Sequence, residues 1–583
     1  MDSVVTQLTK AVYPDHPELP GRVQELIEQY RPAIEAHREH FSASAGDFPL
    51  SADDALLITY GDTLRGPDAA PLEYLYRFLD EHVEETVTGV HILPFSPYSS
   101  DDGFSVIDYR AVHQELGDWE QIEKIAAEFR LMVDLVLNHC SAQSRWFQGF
   151  LRSEKPYDEY FLTADPREDY SMVVRPRALP LLTPVETNHG TEHVWTTFSE
   201  DQIDLNWNNP EVLLEMLDIF LGYLARGAQI VRLDAIAYLW KEIGHSCIHH
   251  PHTHRIVKLF RRVLELVDPA GILITETNVP HQENVSYFGE GDEAHMVYNF
   301  SLPPLLLDAV IRGTTEQLRS WIAGLTDPGP GMAFFNFCAS HDGIGLLPTH
   351  GILTDEQRDV LVRVVQERGG RVSHKATAAG EIPYEMNVNY LSAATDPALP
   401  ESQRAEQFLA TQAVMLSLAG VPGIYIHSLI GSENWQAGVE HTGKNRSINR
   451  EKLDFETVLE ELSDDSTLRA MVFSGYKQLL RARAGHAAFH PRSPQRVVES
   501  DNRLLVLVRG PYREESDDQE DSILAMHNLS SDVVEFRDRR DKYPWSETGI
   551  VRDLVTGDLV YPTAEGALFS LELEPYEVLW LQF

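Results

Sequence analysis

Four strand-like stretches of this 583-residue chain each end in charged or polar side chains. They read LMVDLVLNH (131–139), AQIVRLD (228–234), ILITET (272–277) and FNFCASHD (335–342). Three carboxylates stand out among these ends, namely Asp234, Glu276 and Asp342. Retaining cleavage of a glycosidic bond needs a carboxylate nucleophile and a carboxylic acid about 5 Å apart, and nearby negative charge stabilises the oxocarbenium-like transition state. If the fold brings them together, these residues therefore indicate glycoside chemistry.

The neighbours of the carboxylates suggest separate roles for two of them. Arg232 lies two residues before Asp234 on the same strand, so both side chains point to the same face. We expect Arg232 to keep Asp234 ionised and oriented. Glu276, flanked by other carboxylates, is expected to have a raised pKa and to act as the acid. A single Asp at a strand end is usually a cap or turn residue, so only the combination of R-L-D, E and H-D favours a catalytic site.

The elements that must position these residues alternate between strands and helices from residue 55 onwards. The candidate strands are 55–60, 89–95, 131–137, 228–234, 272–277, 295–300, 332–337 and 422–428. Alternation predicts a parallel sheet, and eight repeats predict a closed (β/α)₈ barrel of the α/β class, whose strand C-termini share one face. An open doubly wound sheet is the alternative, but it has fewer strands and usually a Gly-rich phosphate turn, and the sequence contains no G-x-G-x-x-G.

Three segments follow from these patterns. Residues 1–54 read as a helical lead-in, residues 55–489 as the catalytic barrel, and residues 490–583 as a C-terminal β domain of alternating short strands. Two stretches inside the barrel, 140–205 and 345–405, are too long for simple loops. Both follow the C-terminal end of a strand, so we expect these insertions after strands three and seven to wall the site.

Composition excludes several classes of partner. The net charge of −42 argues against nucleic acid and against an anionic membrane surface. No apolar run is long enough for a signal peptide or a transmembrane helix, and three scattered cysteines do not form a disulfide framework, so we expect a cytoplasmic protein. The histidine-rich stretch 245–254 lacks a clear ligand spacing, and we predict no metal site.

The segments DLVLNH, VRLDA, ITET and SHDG resemble the signature regions of the α-amylase clan, glycoside hydrolase family 13. Longer blocks, GVHILPFSP, DGFSVIDY, RPRALP and NRSINR, are similar to its sucrose phosphorylase branch. The resemblance implies a double displacement in which Asp234 attacks the anomeric carbon, Glu276 serves first as acid and then as base, and Asp342 stabilises the transition state. Inorganic phosphate would be the co-substrate, with no other cofactor.

The resemblance also implies a set of substrate-binding residues. The residues at positions that hold the glucosyl unit in that branch are Asp101, Phe104, His139, Arg232, His341 and Arg446. Tyr238 is expected to pack nearby. A protein this acidic needs local cations to attract phosphate, and Arg175 and Arg177 are the candidates because guanidinium groups bind phosphate and carboxylate with two hydrogen bonds. The alternative is that the two arginines form a solvated loop pair.

Three departures from the sucrose phosphorylase pattern lie on the predicted acceptor side. Asn278 stands where a His is typical, Val174 where a Tyr is typical, and P-Y-E-M-N, containing Tyr384 and Glu385, replaces a loop like L-Y-Q-V-N. The donor sugar is therefore expected to remain glucose, with an acceptor other than fructose. ETNVPHQENVSYFG and PYEMNVNY look more like the glucosylglycerate phosphorylase group, whose acceptor is D-glycerate. The predicted acceptor or phosphate contacts are Arg175, Arg177, Asn278, Tyr384 and Glu385.

Other interpretations stay open at this point. The chain could be a sucrose phosphorylase or a glucosylglycerol phosphorylase, and a hydrolase or transglucosidase could use the same scaffold without phosphate. A non-catalytic barrel that acts as a binding subunit is a further alternative, although such relatives lose catalytic carboxylates and all three are present here. The expected partners are a small glucoside and phosphate, and dimers are common in this branch, so a homodimer is possible.

Overall fold

A computed structural model describes residues 2–38, 48–177, 179–377, 380–510, 522–543 and 550–582. Eight parallel strands close into a barrel, each hydrogen-bonded to the next in chain order and the last to the first. They are β1 (Leu56–Thr59), β2 (Gly89–Ile92), β3 (Arg130–Val136), β4 (Ala228–Asp234), β5 (Ile272–Thr275), β6 (Met296–Tyr298), β7 (Ala333–Phe337) and β8 (Val421–Tyr425). Every one overlaps a predicted strand, which confirms the (β/α)₈ barrel.

Burial on both faces explains why these strands read as unbroken apolar runs. Nearly every residue of β1–β8 is buried, as in other parallel sheets covered by helices. One close approach requires a glycine. A Cβ at Gly423 in β8 would lie 2.3 Å from the ring of Phe335 in β7, so a larger residue would push these two strands apart.

The helices begin at recognisable caps. Asp118 and Thr354 each form a capping box, and the Asn209 side chain caps a helix that has Pro210 in its first turn. The α-helices are Ser3–Val12, Leu19–Arg38, Pro71–Phe78, Trp119–Glu128, Arg145–Leu151, Pro210–Leu224, Pro251–Val267, His281–Val285, Leu302–Arg312, Glu316–Gly324, Asp355–Glu367, Tyr390–Ala394, Glu401–Ser417, Ile426–Leu429, Gln436–Thr442, Phe455–Ser463 and Leu468–Arg483. Within the described ranges, none of them is long and apolar enough to cross a bilayer.

Two hairpins occupy the long segments that follow β3 and β7. After β3, Leu182–Thr187 pairs with Gly190–Trp195, and His139–Ser141 pairs with Gln202–Asp204. After β7, Arg371–Thr377 pairs with Gly380–Asn387, whose other edge pairs with Ile344–Gly345. Both segments extend from the C-terminal ends of barrel strands, which is the face that carries the site in this fold.

The C-terminal part forms two antiparallel sheets. The larger contains Gln495–Val498, Leu504–Arg509, Ile523–Asn528, Val578–Gln582, Val551–Asp553 and Leu559–Val560, and the smaller contains Val534–Arg539, Leu568–Leu573 and Thr563–Glu565. Hydrogen bonds join the larger sheet to the barrel: the fully buried Arg509 donates to the Ser417 carbonyl oxygen at 2.6 Å, and Gln495 Oε1 accepts from the Ala419 amide at 2.8 Å.

Candidate active site

The last residue of β4, Asp234, is held by a buried arginine on the same strand. Arg232 is 2% exposed, and its Nη1 donates to Asp234 Oδ1 at 2.8 Å. The same Nη1 contacts Asp134 at the adjacent position of β3, and Asp134 Oδ2 lies 2.8 Å from His91 Nε2. Arg232 is thus anchored from the β3 side, and this network fixes the position of the Asp234 carboxylate.

Glu276, just past β5, lies beside the same guanidinium group. Its Oε2 accepts a hydrogen bond from the Ala235 amide at 3.0 Å and lies 4.0 Å from Arg232 Nη2. Ala235 reaches this position with φ of 49°, a left-handed conformation that costs about 1–2 kcal/mol for a residue with a Cβ. The strain turns the amide N–H that follows Asp234 toward the second carboxyl group.

The two carboxyl groups titrate as one pair. Burial raises the pKa of both Asp234 and Glu276, and Arg232 opposes that rise in each. For Asp234, burial outweighs the opposing effect of Arg232 on the pKa, and the neighbouring carboxyl groups of Glu276 and Asp134 add to the rise. Arg232 lies 2.8 Å from Asp234 and 4.0 Å from Glu276, so the negative charge is most stable on Asp234 and the shared proton on Glu276.

The third carboxylate, Asp342, lies just past β7 and stays ionised. Arg446 Nη1 lies 2.5 Å from its Oδ1, and Arg450 Nη2 lies 3.7 Å from the same oxygen. Burial works against ionisation, but Arg446, His341 and Arg450 outweigh it and hold the pKa of Asp342 well below its usual range. A fixed negative charge at this point suits a transition state that carries positive charge.

An aromatic platform and a neutral histidine form the wall next to these carboxylates. The Phe104 ring stacks on His341 with centroids 4.9 Å apart and planes 5° apart. Burial lowers the pKa of His341 to about 3 and that of His139 to about 4, so both imidazoles are neutral near pH 7. A flat apolar ring beside hydrogen-bonding groups is suited to one face of a sugar.

A buried lysine determines which nitrogen of His139 carries the proton. Lys241 Nζ lies 2.7 Å from Asp204 Oδ2 and donates to Asn138 Oδ1. An ammonium group can only donate, so the Asn138 amide nitrogen is left to donate to His139 Nδ1 at 3.1 Å. The imidazole proton then sits on Nε2, which donates to the Phe104 carbonyl oxygen at 2.9 Å.

Asp101 lies on a strained turn across the pocket. Asp101 and Asp102 both have positive φ, at 54° and 49°, and Asp102 Oδ2 accepts from Arg450 Nη1 at 2.5 Å. Asp101 Oδ2 accepts from Arg177 at 3.2 Å. Burial opposes ionisation of Asp101, but Arg177 and Arg446 outweigh it and hold its pKa well below the ordinary range.

These groups surround one cavity of about 280 Å³. The predicted site residues that line it are Asp101, Phe104, His139, Arg175, Arg177, Asp234, Tyr238, Glu276, Asn278, His341, Asp342, Tyr384, Glu385 and Arg446. The remaining predicted residue, Arg232, lies behind the carboxylates instead of on the cavity wall. The structure therefore brings together residues from both long insertions and from six barrel strand ends or the loops beyond them.

Glu385 lines the cavity as predicted for an acceptor-side residue, and it also binds a neighbouring arginine. Its Oε1 accepts from Arg446 Nε at 3.0 Å and its Oε2 from Arg446 Nη2 at 2.7 Å. The residue is only 3% exposed, so both carboxylate oxygens are occupied by Arg446. Glu385 thus anchors the guanidinium group that contacts Asp342.

Of the other predicted acceptor-side groups, Arg177 pairs with Asp101, whereas Arg175 and Asn278 make weaker contacts. Arg175 Nη1 donates to the Leu179 carbonyl oxygen at 3.0 Å, and Arg177 lies over the Phe198 ring at 5.7 Å from its centroid. Asn278 Oδ1 is buried and has no hydrogen-bond donor among the described residues. This half of the cavity has polar groups whose hydrogen-bonding capacity the protein does not use.

Comparison with known proteins agrees with this geometry. A model of the alpha-amylase catalytic domain matches residues 83–319. The chain is 52% identical to the glucosylglycerate phosphorylase of Spirochaeta thermophila, over 95% of this chain and 94% of that protein. It is 42% identical to the glucosylglycerate phosphorylase of Escherichia coli, over 91% of this chain and 92% of that protein. The chain belongs to glycoside hydrolase family 13, in its glucosylglycerate phosphorylase branch.

A solved structure of the same family shares the architecture. The sucrose 6F-phosphate phosphorylase of Thermoanaerobacter thermosaccharolyticum superposes with a TM-score of 0.70 at 25% identity, covering 82% of this chain and 94% of that one. The glycoside hydrolase family 13 barrel thus carries the site described here.

The cavity-lining side chains that sequence reasoning missed include Phe198, Gln202, Glu283 and Lys375. Phe198, Gln202 and Lys375 lie in the insertions that were predicted to wall the site, so their location was the available signal. Glu283 lies within ETNVPHQENVSYFG and pairs with His249 at 3.1 Å. The histidine-rich stretch makes contacts of this kind, and among described residues no group of three His, Cys, Asp or Glu is arranged to hold a metal ion.

Proposed function

We propose that this chain catalyses the reversible phosphorolysis of 2-O-α-D-glucosyl-D-glycerate to α-D-glucose 1-phosphate and D-glycerate. One observation carries the proposal: Asp234 is fixed by Arg232 beside a Glu276 that holds the shared proton, at the base of a cavity with cations on its acceptor side. The names and identities of the relatives supply the substrate. Sucrose and glucosylglycerol phosphorylases are more distant, at 27–30% identity.

The first displacement forms a glucosyl-enzyme. Asp234 attacks the anomeric carbon while the bond from that carbon to the glycerate oxygen breaks. Glu276 gives its proton to the departing oxygen, so glycerate leaves as a neutral alcohol at that position. Asp342, ionised by Arg446, faces the positive charge that develops on the sugar.

The second displacement transfers the sugar to phosphate. A phosphate oxygen attacks the anomeric carbon, the ester bond to Asp234 breaks, and Glu276 takes the phosphate proton as base. Two inversions retain the α configuration. Arg175 and Arg177 support phosphate binding because they are the arginines on the acceptor side of the cavity. We propose that phosphate is the co-substrate and that no metal or organic cofactor takes part.

We also propose that the reaction takes place in the cytoplasm. All three cysteines, Cys140, Cys247 and Cys338, are unpaired and buried, as is usual where thiols stay reduced.

Phosphate-dependent release of α-glucose 1-phosphate from a donor panel tests the proposal. The panel is glucosylglycerate, glucosylglycerol and sucrose, each with and without phosphate. We expect release from glucosylglycerate well above the other two. Preference for sucrose would overturn the acceptor assignment. Release of equal amounts of free glucose from every donor, with or without phosphate, would show that the enzyme is a hydrolase and not a phosphorylase.

A further inference from the structure

The cations that line the cavity differ in whether the protein already neutralises them. Arg446 pairs with both Asp342 and Glu385, and Arg177 pairs with Asp101. Each of these guanidinium groups therefore has a carboxylate partner before any substrate arrives. An incoming anion gains less electrostatic binding free energy from a cation whose charge a carboxylate already neutralises.

Lys375 is the contrasting case. It lies on the strand Arg371–Thr377 of the second insertion, it is partly buried, and its side chain lines the cavity. No hydrogen bond or ion pair joins its ammonium group to any residue that the structure describes. Arg175 is exposed, and among described residues its guanidinium group donates to the Leu179 carbonyl oxygen and pairs with no carboxylate.

A partly buried charge without a counterion is unfavourable unless something else compensates it. A carboxylate or phosphate ligand is the chemistry that does so, because hydrogen bonds between charged groups are the strong ones. Asn278 adds an independent sign of a ligand on this side of the cavity. Its side chain lines the cavity, and its Oδ1 accepts no hydrogen bond from any described residue.

We infer that Lys375 determines acceptor specificity by binding the carboxylate of the acceptor, with Arg175 as the second cation and Asn278 accepting from an acceptor hydroxyl. A small hydroxy acid supplies both groups, whereas glycerol supplies only hydroxyls. The inference deepens the proposed function and rests on it.

The test uses the synthetic direction, in which α-glucose 1-phosphate is the donor for every acceptor. The variants are Lys375→Gln and Lys375→Arg, with Lys10→Gln, at an exposed lysine outside the cavity, as the matched control. Transfer to D-glycerate is compared with transfer to the neutral acceptors glycerol and water. Any effect on the donor phosphate is common to all acceptors and cancels in the ratio of rates.

We expect Lys375→Gln to lower kcat/KM for D-glycerate by about tenfold or more while transfer to glycerol and water stays within about twofold of wild type. Lys375→Arg and Lys10→Gln should keep most of the preference for D-glycerate. An unchanged ratio of glycerate to neutral acceptors in Lys375→Gln overturns the inference and leaves the proposed function standing. A wild-type enzyme that does not transfer to glycerate contradicts the proposed function itself.

Discussion

The two halves of the cavity differ in how far the protein pairs its own charged side chains. In the glucose half, Asp234 is held by Arg232, Asp342 by Arg446, and the His139 proton is directed through Asn138. In the acceptor half, and counting only described residues, Lys375 has no partner, Arg175 donates to a carbonyl oxygen and to no carboxylate, and Asn278 Oδ1 has no donor.

This difference separates catalysis from selection. Charges that are fixed before the substrate binds need no reorganisation during the reaction, which is how a site stabilises a transition state. Polar groups without a protein partner contribute most binding free energy to a ligand whose charge and hydroxyl groups complement them. A ligand that lacks those groups binds more weakly, because it leaves the protein groups unpaired. Substitutions in the glucose half should therefore affect every acceptor alike, whereas substitutions in the acceptor half should change which acceptor is preferred.

The largest effect is expected from Asp234→Asn. Without the nucleophile no glucosyl-enzyme forms, so turnover should fall by about 10⁴-fold or more with every donor and acceptor. Phosphorolysis rates measure the loss, and Asp464→Asn, an exposed aspartate, is the control. Substantial activity in Asp234→Asn would contradict the assignment of the nucleophile.

Glu276→Gln should lower phosphorolysis of a natural glucoside by about 10²–10⁴-fold because the leaving oxygen is no longer protonated. α-Glucosyl fluoride needs little protonation, so formation of the glucosyl-enzyme from this donor should be far less impaired. Rapid-quench measurement of the first turnover separates the two donors. An equal loss with both would show that Glu276 is not the acid.

Glu385→Gln removes the charge that anchors Arg446 and keeps nearly the same shape. We expect kcat to fall by about 10–100-fold, since a charged hydrogen-bonded pair is lost from Arg446, which contacts Asp342. The loss should be similar for D-glycerate and glycerol, unlike that of Lys375→Gln. A selective loss with D-glycerate would show that Glu385 contacts the acceptor directly. The melting temperature of the variant checks that the fold is intact.

The smallest effect is expected from Asn278→Ala. A single neutral hydrogen bond from Asn278 Oδ1 to a ligand hydroxyl corresponds to a loss of about 2–10-fold in kcat/KM for glucosylglycerate. Hydrolysis of α-glucose 1-phosphate by the same variant should be nearly unchanged. If the hydrolysis falls as much as the phosphorolysis, Asn278 acts on the glucose half instead.

Much of the fold and the catalytic centre could be predicted because both follow from local patterns. Each barrel strand is a short apolar run, and each catalytic carboxylate lies at or just past the C-terminal end of one, so closing the barrel is enough to bring Asp234, Glu276 and Asp342 to one face. The raised pKa of Asp234 could not be predicted in the same way. It depends first on burial of Asp234 and then on the nearby carboxyl groups of Glu276 and Asp134, which the spacing of Arg232 and Asp234 does not reveal.

The sequence by itself determined the barrel, the three carboxylates and the side of the pocket on which this chain departs from sucrose phosphorylases. Only the tertiary structure decided which charges are already neutralised. Glu385 meets Arg446 across 61 residues and Asp102 meets Arg450 across 348, while Lys375 meets no described partner. Such contacts join loops that are far apart in the chain, and loop packing, unlike the alternation of strands and helices, leaves no periodic signal in the sequence.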